Sequence, residues 1–162
     1  MKRLLLLALL ALTTASVRAQ ELPLGSPLPQ ITSLTATDGS GRTLDGMAGP
    51  QGTVVVLWSN NCPWVDRLDD RLMDLAATYA DRYAFVLVGS ADPTANAQRA
   101  SVKGYRFPYL SDSGNALARA LGAQRTATFF VFDASGALAY VGAFDNSPTD
   151  VSRATAHYLR DA

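Results

Sequence analysis

Cys62 is the only cysteine of this 162-residue chain, and its neighbours are of the types that tune a thiol. The segment Thr53-Val54-Val55-Val56-Leu57-Trp58-Ser59-Asn60-Asn61-Cys62-Pro63-Trp64-Val65 runs from a β-branched apolar stretch into a polar turn. Pro63 then suits a first helical turn, where its missing N–H costs little. A strand, a turn and a helix in that order place the thiol at a helix N-terminus. There, unpaired backbone N–H groups and the macrodipole favour a thiolate. A thiolate is a nucleophile, so the available chemistry is attack on a peroxide or exchange with a disulfide. The contrary reading is an inert, buried thiol, which is how free cysteines often occur. One thiol closes no internal disulfide, so the fold must rest on its hydrophobic core.

Trp58 and Trp64 bracket the turn. They either pack against the sheet or wall an apolar site that shields the sulfur. Asn60 and Asn61 suit the turn and the helix cap, and their amides could hydrogen-bond a thiolate or a bound oxygen. Asp66 falls in the first helical turn, where it suits the dipole but opposes a nearby thiolate. His157 is the only histidine and is expected on the exposed side of a final helix. One His and one Cys so far apart give no metal site and no Cys–His dyad. No glycine-rich phosphate loop and no signature for a nucleotide, flavin or haem is present, so no cofactor is expected.

The elements that must position Cys62 follow from periodicity. Gln20 to Ile31 reads as an extended arm. Asp38-Gly39-Ser40-Gly41 turns between short strands around Ile31–Ala36 and Arg42–Leu44, and Gly49-Pro50-Gln51-Gly52 is a second breaker. Thr53 to Trp58 is apolar on both faces, as a central strand covered on both sides should be. Val65, Leu68, Leu72, Leu75, Ala76 and Tyr79 recur at helical spacing after Pro63. Tyr83 to Gly89 is a second buried strand, and Thr94 to Tyr105 a helix closed by Gly104 and Pro108. Phe107 to Asp112 reads as an extended link, and Gly114 to Leu121 as a helix with Gly122 at its C-terminal end. Thr128–Asp133 and Ala137–Val141 flank Ala134-Ser135-Gly136 as a hairpin. Ser147-Pro148-Thr149-Asp150 resembles a capping box opening a last helix to about Arg160, with Val151, Ala154 and Tyr158 as its buried stripe. Alternating β and α units imply a mostly parallel sheet with antiparallel strands added at one edge.

The first residues read as an export signal. Lys2 and Arg3 precede an apolar run from Leu4 to Leu12 that is short for a bilayer span, and Val17-Arg18-Ala19 suits cleavage after Ala19. No cysteine follows the run, which argues against a lipid anchor. Residues 20–162 then form one domain of a size that builds a single core. Removing Lys2, Arg3 and Arg18 from 14 basic residues leaves 11, against 14 acidic. With scattered arginines and no cationic run, this argues against nucleic acid and anionic membranes as partners. The expected location is the periplasm, with no stable membrane anchor after cleavage.

Three stretches carry a family resemblance. The first is Leu57 to Val65. The second is Phe107-Pro108-Tyr109-Leu110-Ser111-Asp112 with Ala118 to Ala123. The third is Phe129 to Asp133 with Gly136, followed by Tyr140-Val141-Gly142-Ala143-Phe144-Asp145. In this order they resemble the redoxin branch of thioredoxin-fold proteins, which includes the alkyl hydroperoxide reductase/thiol-specific antioxidant domains. The resemblance covers about Leu22 to Pro148. It implies an α/β, thioredoxin-like fold, with a central mixed β-sheet flanked by helices and an N-terminal β-hairpin extension.

Two departures stand beside it. The second cysteine of a Cys-x-x-Cys pair falls on Val65, so no internal dithiol cycle is available. The usual cis-proline position falls on Ala127, where a cis bond would cost about 2.5–4 kcal/mol, so the 126–127 peptide is expected to be trans. Peroxidases of the superfamily use Pro-x-x-x-Thr-x-x-Cys with a distant arginine. Ser59 takes the hydroxyl position, whereas the proline position is Val55. Arg125 is the preferred cation and Arg67 the second choice. The implied catalytic set is Cys62, Ser59 and Arg125, with Trp58, Asn61, Pro63, Trp64, Thr126 and Ala127 contacting substrate. The implied partners are a peroxide or thiol/disulfide substrate and an external reducing thiol, and a homodimer is allowed. The expected function is an exported thiol-dependent oxidoreductase passing through sulfenate or mixed-disulfide states, a one-cysteine peroxidase being the narrower form. The alternative is a non-catalytic binding or assembly module.

Overall fold

The computed structural model describes residues 21–162. The expected signal segment, 1–19, lies outside the described residues.

The β-branched run does form the central strand, β3 (Gly52–Leu57), and all six of its residues are buried. Alternation along it feeds two cores. Val54, Val56 and Trp58 pack with Val65, Leu68, Leu72 and Ala76 of α1 (Pro63–Tyr79), on one face of the sheet. Val55 and Leu57 pack on the other face, with Leu117 and Leu121 in and after α3 (Ala116–Ala120) and with Leu28 and Ile31 of the N-terminal arm. β4 (Tyr83–Gly89) and β6 (Thr128–Asp133) alternate in the same way. Phe85, Leu87, Phe129 and Val131 face α1, while Val86, Val88, Phe130 and Phe132 face α3. A strand apolar on every residue is stable only if both faces are covered, and here both are.

Among the described residues the sheet has seven strands. β2 (Gly41–Arg42), β1 (Leu34–Thr35), β5 (Tyr109–Ser111) and β4 lie side by side, and β3, β6 and β7 (Leu138–Gly142) continue beyond them. β3 abuts β4 through Trp58 N–H donating to Val88 O at 2.8 Å. β4–β5 is parallel, whereas β1–β2, β1–β5, β3–β6 and β6–β7 are antiparallel. The expectation of a mostly parallel sheet is therefore corrected, since antiparallel strands flank both sides of the centre. The N-terminal hairpin is present but only two residues long on each strand. Gly52 is required where it stands. Its φ is +141°, and a Cβ there would lie 2.0 Å from Phe132 O.

α2 (Pro93–Lys103) begins one residue before the expected Thr94. Asp92 accepts Ala95 N–H at 3.0 Å, Pro93 opens the first turn, and Gly104 closes the helix at φ +71°. Two further expectations fail. Residues 109–111 are not a link but strand β5, paired in parallel with Leu87–Gly89. The final helix from Ser147 to Arg160 is not continuous. A 3-10 turn, Val151–Arg153, is capped by Asp150, and a four-residue α4 (Tyr158–Asp161) follows separately. Asn146 Oδ1 accepts Thr155 and Ala156 N–H at 3.0 and 3.1 Å, which draws the intervening chain out of helix. The supposed stripe is therefore not buried. Val151 is 62% and Tyr158 45% exposed, and Leu159 is the buried residue. His157 precedes α4 and is half-buried rather than exposed on a helix. Among the described residues, no helix is long and apolar enough to cross a membrane.

Candidate active site

The Cys62 loop joins the end of β3 to α1, and Cys62 is the N-cap residue, at φ −99° and ψ 116°. Its carbonyl accepts Val65 N–H at 3.0 Å, and its side chain makes no capping bond. The thiol is half-buried and lines a cavity of about 650 Å³. Trp64, Leu68, Phe130, Val141 and Phe144 give this cavity apolar walls, and Arg125, Thr126, Ala127 and Thr128 line it as well. Phe144 is held by the Arg71 guanidinium 4.8 Å from its ring centre, and Arg71 is itself paired with buried Asp145.

The sequence-derived residues divide into groups. Cys62, Trp64, Arg125, Thr126 and Ala127 share the large cavity. Ser59 does not line it. With Trp58, Arg125 and Thr126 it lines an adjoining cavity of about 220 Å³, and its Oγ accepts Asn61 N–H at 3.4 Å. Trp58 is 3% exposed and sits behind the loop, its indole N–H donating to Tyr105 Oη at 3.1 Å. Pro63 and Asn61 are exposed on the rim side of the loop and are not cavity walls. Arg67 stacks over Trp64 at 5.7 Å rather than entering the cavity. Arg125 is the exposed guanidinium that lines both cavities.

The position three after Cys62, Val65, is fully buried. The 126–127 peptide is trans, as expected, because no peptide bond among the described residues is cis. Ala127 nevertheless takes a left-handed φ of +57°, and its N–H donates to Leu57 O at 2.6 Å. That N–H is therefore not offered to an extended peptide lying in the cavity. An alanine Cβ is strained at this φ, so Ala127→Gly is expected to stabilise the fold by about 1 kcal/mol. An unchanged or lower urea midpoint would count against that strain.

Sequence reasoning missed the polar cluster behind the loop. Asp69 of α1 is 1% exposed. It accepts from Arg99 Nη2 at 2.7 Å, from Lys103 Nζ at 2.8 Å, and from the Tyr105 hydroxyl. Asp66, one turn nearer Cys62, accepts from Arg99 at 2.9 Å and pairs with Lys103 at 3.4 Å. Hydrogen bonding from Arg99 and Lys103 holds the Asp66 carboxyl below its ordinary value, against a smaller opposing effect of burial. Asn60 is also engaged inward. Its amide donates to Asn96 Oδ1 at 3.0 Å and accepts from Tyr109 Oη at 2.8 Å, and its carbonyl accepts from Arg99 at 3.2 Å. One signal was available. Val65, Asp69, Leu72 and Ala76 follow a four–three–four spacing, which puts a carboxylate in the apolar stripe of α1.

The cluster has a pH signature. Burial, reinforced by the bond to Asp69, pushes Tyr105 up to about 12, and burial also raises Tyr109. The fold thus favours the neutral phenols. Their contribution is complete below the ordinary tyrosine value of 10.0 and is lost as pH rises toward the raised folded values. Lys103, raised by its bond to Asp69, acts with the same sign. Urea midpoints are expected to fall from about pH 10 toward about pH 12, and Tyr105→Phe to flatten that fall. Equal slopes in the two proteins would refute the assignment.

Comparison with known proteins follows this geometry. The family model described as Redoxin matches residues 23–158. The chain is similar to the crystal structure of an uncharacterized conserved protein from Geobacillus kaustophilus. That match has 32% identity, 77% of this chain and 71% of that chain covered, and a TM-score of 0.72. It is also similar to a hypothetical protein from Sinorhizobium meliloti, at 28% identity, 83% and 78% coverage and a TM-score of 0.75. Peroxidoxin BcpB from Mycobacterium tuberculosis shares the fold at 21% identity, 74% and 84% coverage and a TM-score of 0.66. A search of the curated proteins gives no match.

Proposed function

Because the chain belongs to the redoxin family, whose fold is thioredoxin-like, we propose that it is an exported thiol-dependent oxidoreductase in which Cys62 is the reacting group. The observation that carries this is the placement of the chain's one thiol. It sits at the N-terminus of a 17-residue helix, half-exposed, on a cavity that Arg125 also lines. A helix N-terminus and a nearby cation are surroundings in which reactive cysteines are generally found.

In the peroxide reaction the thiolate attacks one peroxide oxygen. The S–O bond forms as the O–O bond breaks, the sulfur becomes a sulfenic acid, and the leaving oxygen takes a proton to give water or an alcohol. An external thiol then condenses with the sulfenate, releasing water and leaving a mixed disulfide. A second thiol displaces the protein sulfur and departs as the oxidised disulfide. The reductant is external because the chain has no second cysteine, and Val65 fills that place in the core. Thr126 and Thr128 are hydroxyls that line the Cys62 cavity, Ser59 lies on the adjoining one, and Arg125 would orient the polarised oxygen. Trp64, Ala127 and the apolar walls would hold the organic part of a substrate, with Trp58, Asn61 and Pro63 keeping the loop in shape. The N-terminal Lys2, Arg3 and Leu4–Leu12 pattern supports export to the periplasm. The −3 balance after cleavage fits a reaction without nucleic acid.

The second reading, a binding or assembly module, is favoured by Val65 and by Ala127, whose N–H is engaged with Leu57 O. One assay separates the two. Reduced protein is mixed with hydrogen peroxide or cumene hydroperoxide and excess dithiothreitol. The oxidoreductase consumes many equivalents of peroxide per protein. Consumption of one equivalent or less would leave the binding module as the account.

A further inference from the structure

We infer that Arg99, in the middle of α2, is a positioning residue that sets the direction and charge environment of the Cys62 thiol. The inference rests on Cys62 being the reacting group, whichever substrate it takes. The Arg99 side chain is only 10% exposed and its guanidinium makes four hydrogen bonds. Nη1 donates to Asn60 O at 3.2 Å, and Nη2 to Asp66 Oδ1 at 2.9 Å and Asp69 Oδ2 at 2.7 Å. Nε donates to Tyr105 Oη at 3.1 Å.

These contacts bracket Cys62. Asn60 is two residues before it, and α1 begins with the residue after it. Arg99 therefore ties the loop on one side of the thiol to the first two turns of the helix on the other. The backbone angle at Cys62, and so the direction of Sγ, is fixed between the two anchors. Trp58 and Asn60 reinforce the loop side through Tyr105, Tyr109 and Asn96.

The second consequence is electrostatic. Asp66 lies one helical turn from Cys62, and its bare carboxylate would oppose a thiolate. Arg99 and Lys103 both pair with it. The other charged groups near the thiol are Arg67, which stacks on Trp64, and Arg125 and Glu21, which line the cavity. Behind the loop stand Asp69, Tyr105 and Tyr109. Removing Arg99 leaves the two carboxylates with Lys103 as their one cationic partner, and Asp69 with the Tyr105 hydroxyl as well. Lysine in its place keeps the charge but lacks the planar fork that reaches four acceptors.

The test is the rate of Cys62 alkylation by iodoacetamide from pH 5 to 10, with thermal melting alongside. Arg99→Gln is expected to move the profile up by roughly one pH unit, a tenfold slower reaction on its rising limb. Adding Asp66→Asn to that variant should return the profile toward wild type, and Arg99→Lys should lie between. A folded Arg99→Gln protein whose profile superimposes on wild type would overturn the inference. If Arg99→Gln does not fold, Arg99→Lys and Lys103→Gln carry the test, and wild-type profiles in both would equally overturn it. Alkylation reads the thiol without peroxide. A protein with no peroxide turnover but the expected profiles keeps this inference while the proposed reaction falls.

Discussion

Cys62→Ser is expected to abolish peroxide turnover while leaving the fold intact. Serine replaces sulfur with an oxygen that stays protonated at neutral pH, so the nucleophile is lost although the shape is nearly kept. Removing a nucleophile costs several orders of magnitude in rate. The fold has little to lose, because the Cys62 side chain makes no capping bond and the backbone N-cap bonds come from its carbonyl. Melting within about 0.5 kcal/mol of wild type is expected, together with loss of every sulfenate and mixed-disulfide adduct. Turnover that survives in the serine variant would place the chemistry elsewhere.

Asp69→Ala is expected to produce the largest loss of stability of any single change near the site. Asp69 is 1% exposed and accepts from Arg99, Lys103 and Tyr105. Removing one partner of a buried ion pair leaves the other charge uncompensated, at a cost of about 3–5 kcal/mol. In a domain of this size the melting midpoint should fall on the order of 10 °C. Asp66→Ala is the control. Its side chain is 53% exposed, so its pairs are screened and worth at most about 1 kcal/mol. A melting shift for Asp69→Ala as small as that for Asp66→Ala would mean that the cluster does not hold α1 to α2.

What could be read from the sequence was whatever local pattern decides. β3 is a run of β-branched residues with no polar face, α1 starts at a proline and repeats at helical spacing, and β6 and β7 flank a glycine turn. Each formed where expected. The last helix failed because Val151, Ala154 and Tyr158 have helical spacing but no partner surface. Asn146 instead captures the backbone at 155 and 156, and Leu159 N–H bonds back to Phe144 O. β5 was hidden for a similar reason, since three residues beside a proline become a strand only through β4. At the site, Cys62 and Trp64 follow from the local strand–turn–helix pattern, whereas Arg125, Thr126 and Ala127 follow only from the family resemblance; all five line one cavity. Ser59 was placed by spacing alone, and the fold puts it on the neighbouring cavity. The Arg99 clamp joins α2 to residues 30 to 39 positions away on the loop and α1, and only the misplaced carboxylate at 69 announced it.

The most direct test of the central claim is the rate at which pre-reduced protein gains oxygen at Cys62 from hydrogen peroxide. It would be followed by mass spectrometry across pH. Rapid gain of one oxygen per protein at neutral pH is the expected result. A thiol that hydrogen peroxide leaves unmodified at neutral pH would contradict the account of Cys62 as the reacting nucleophile.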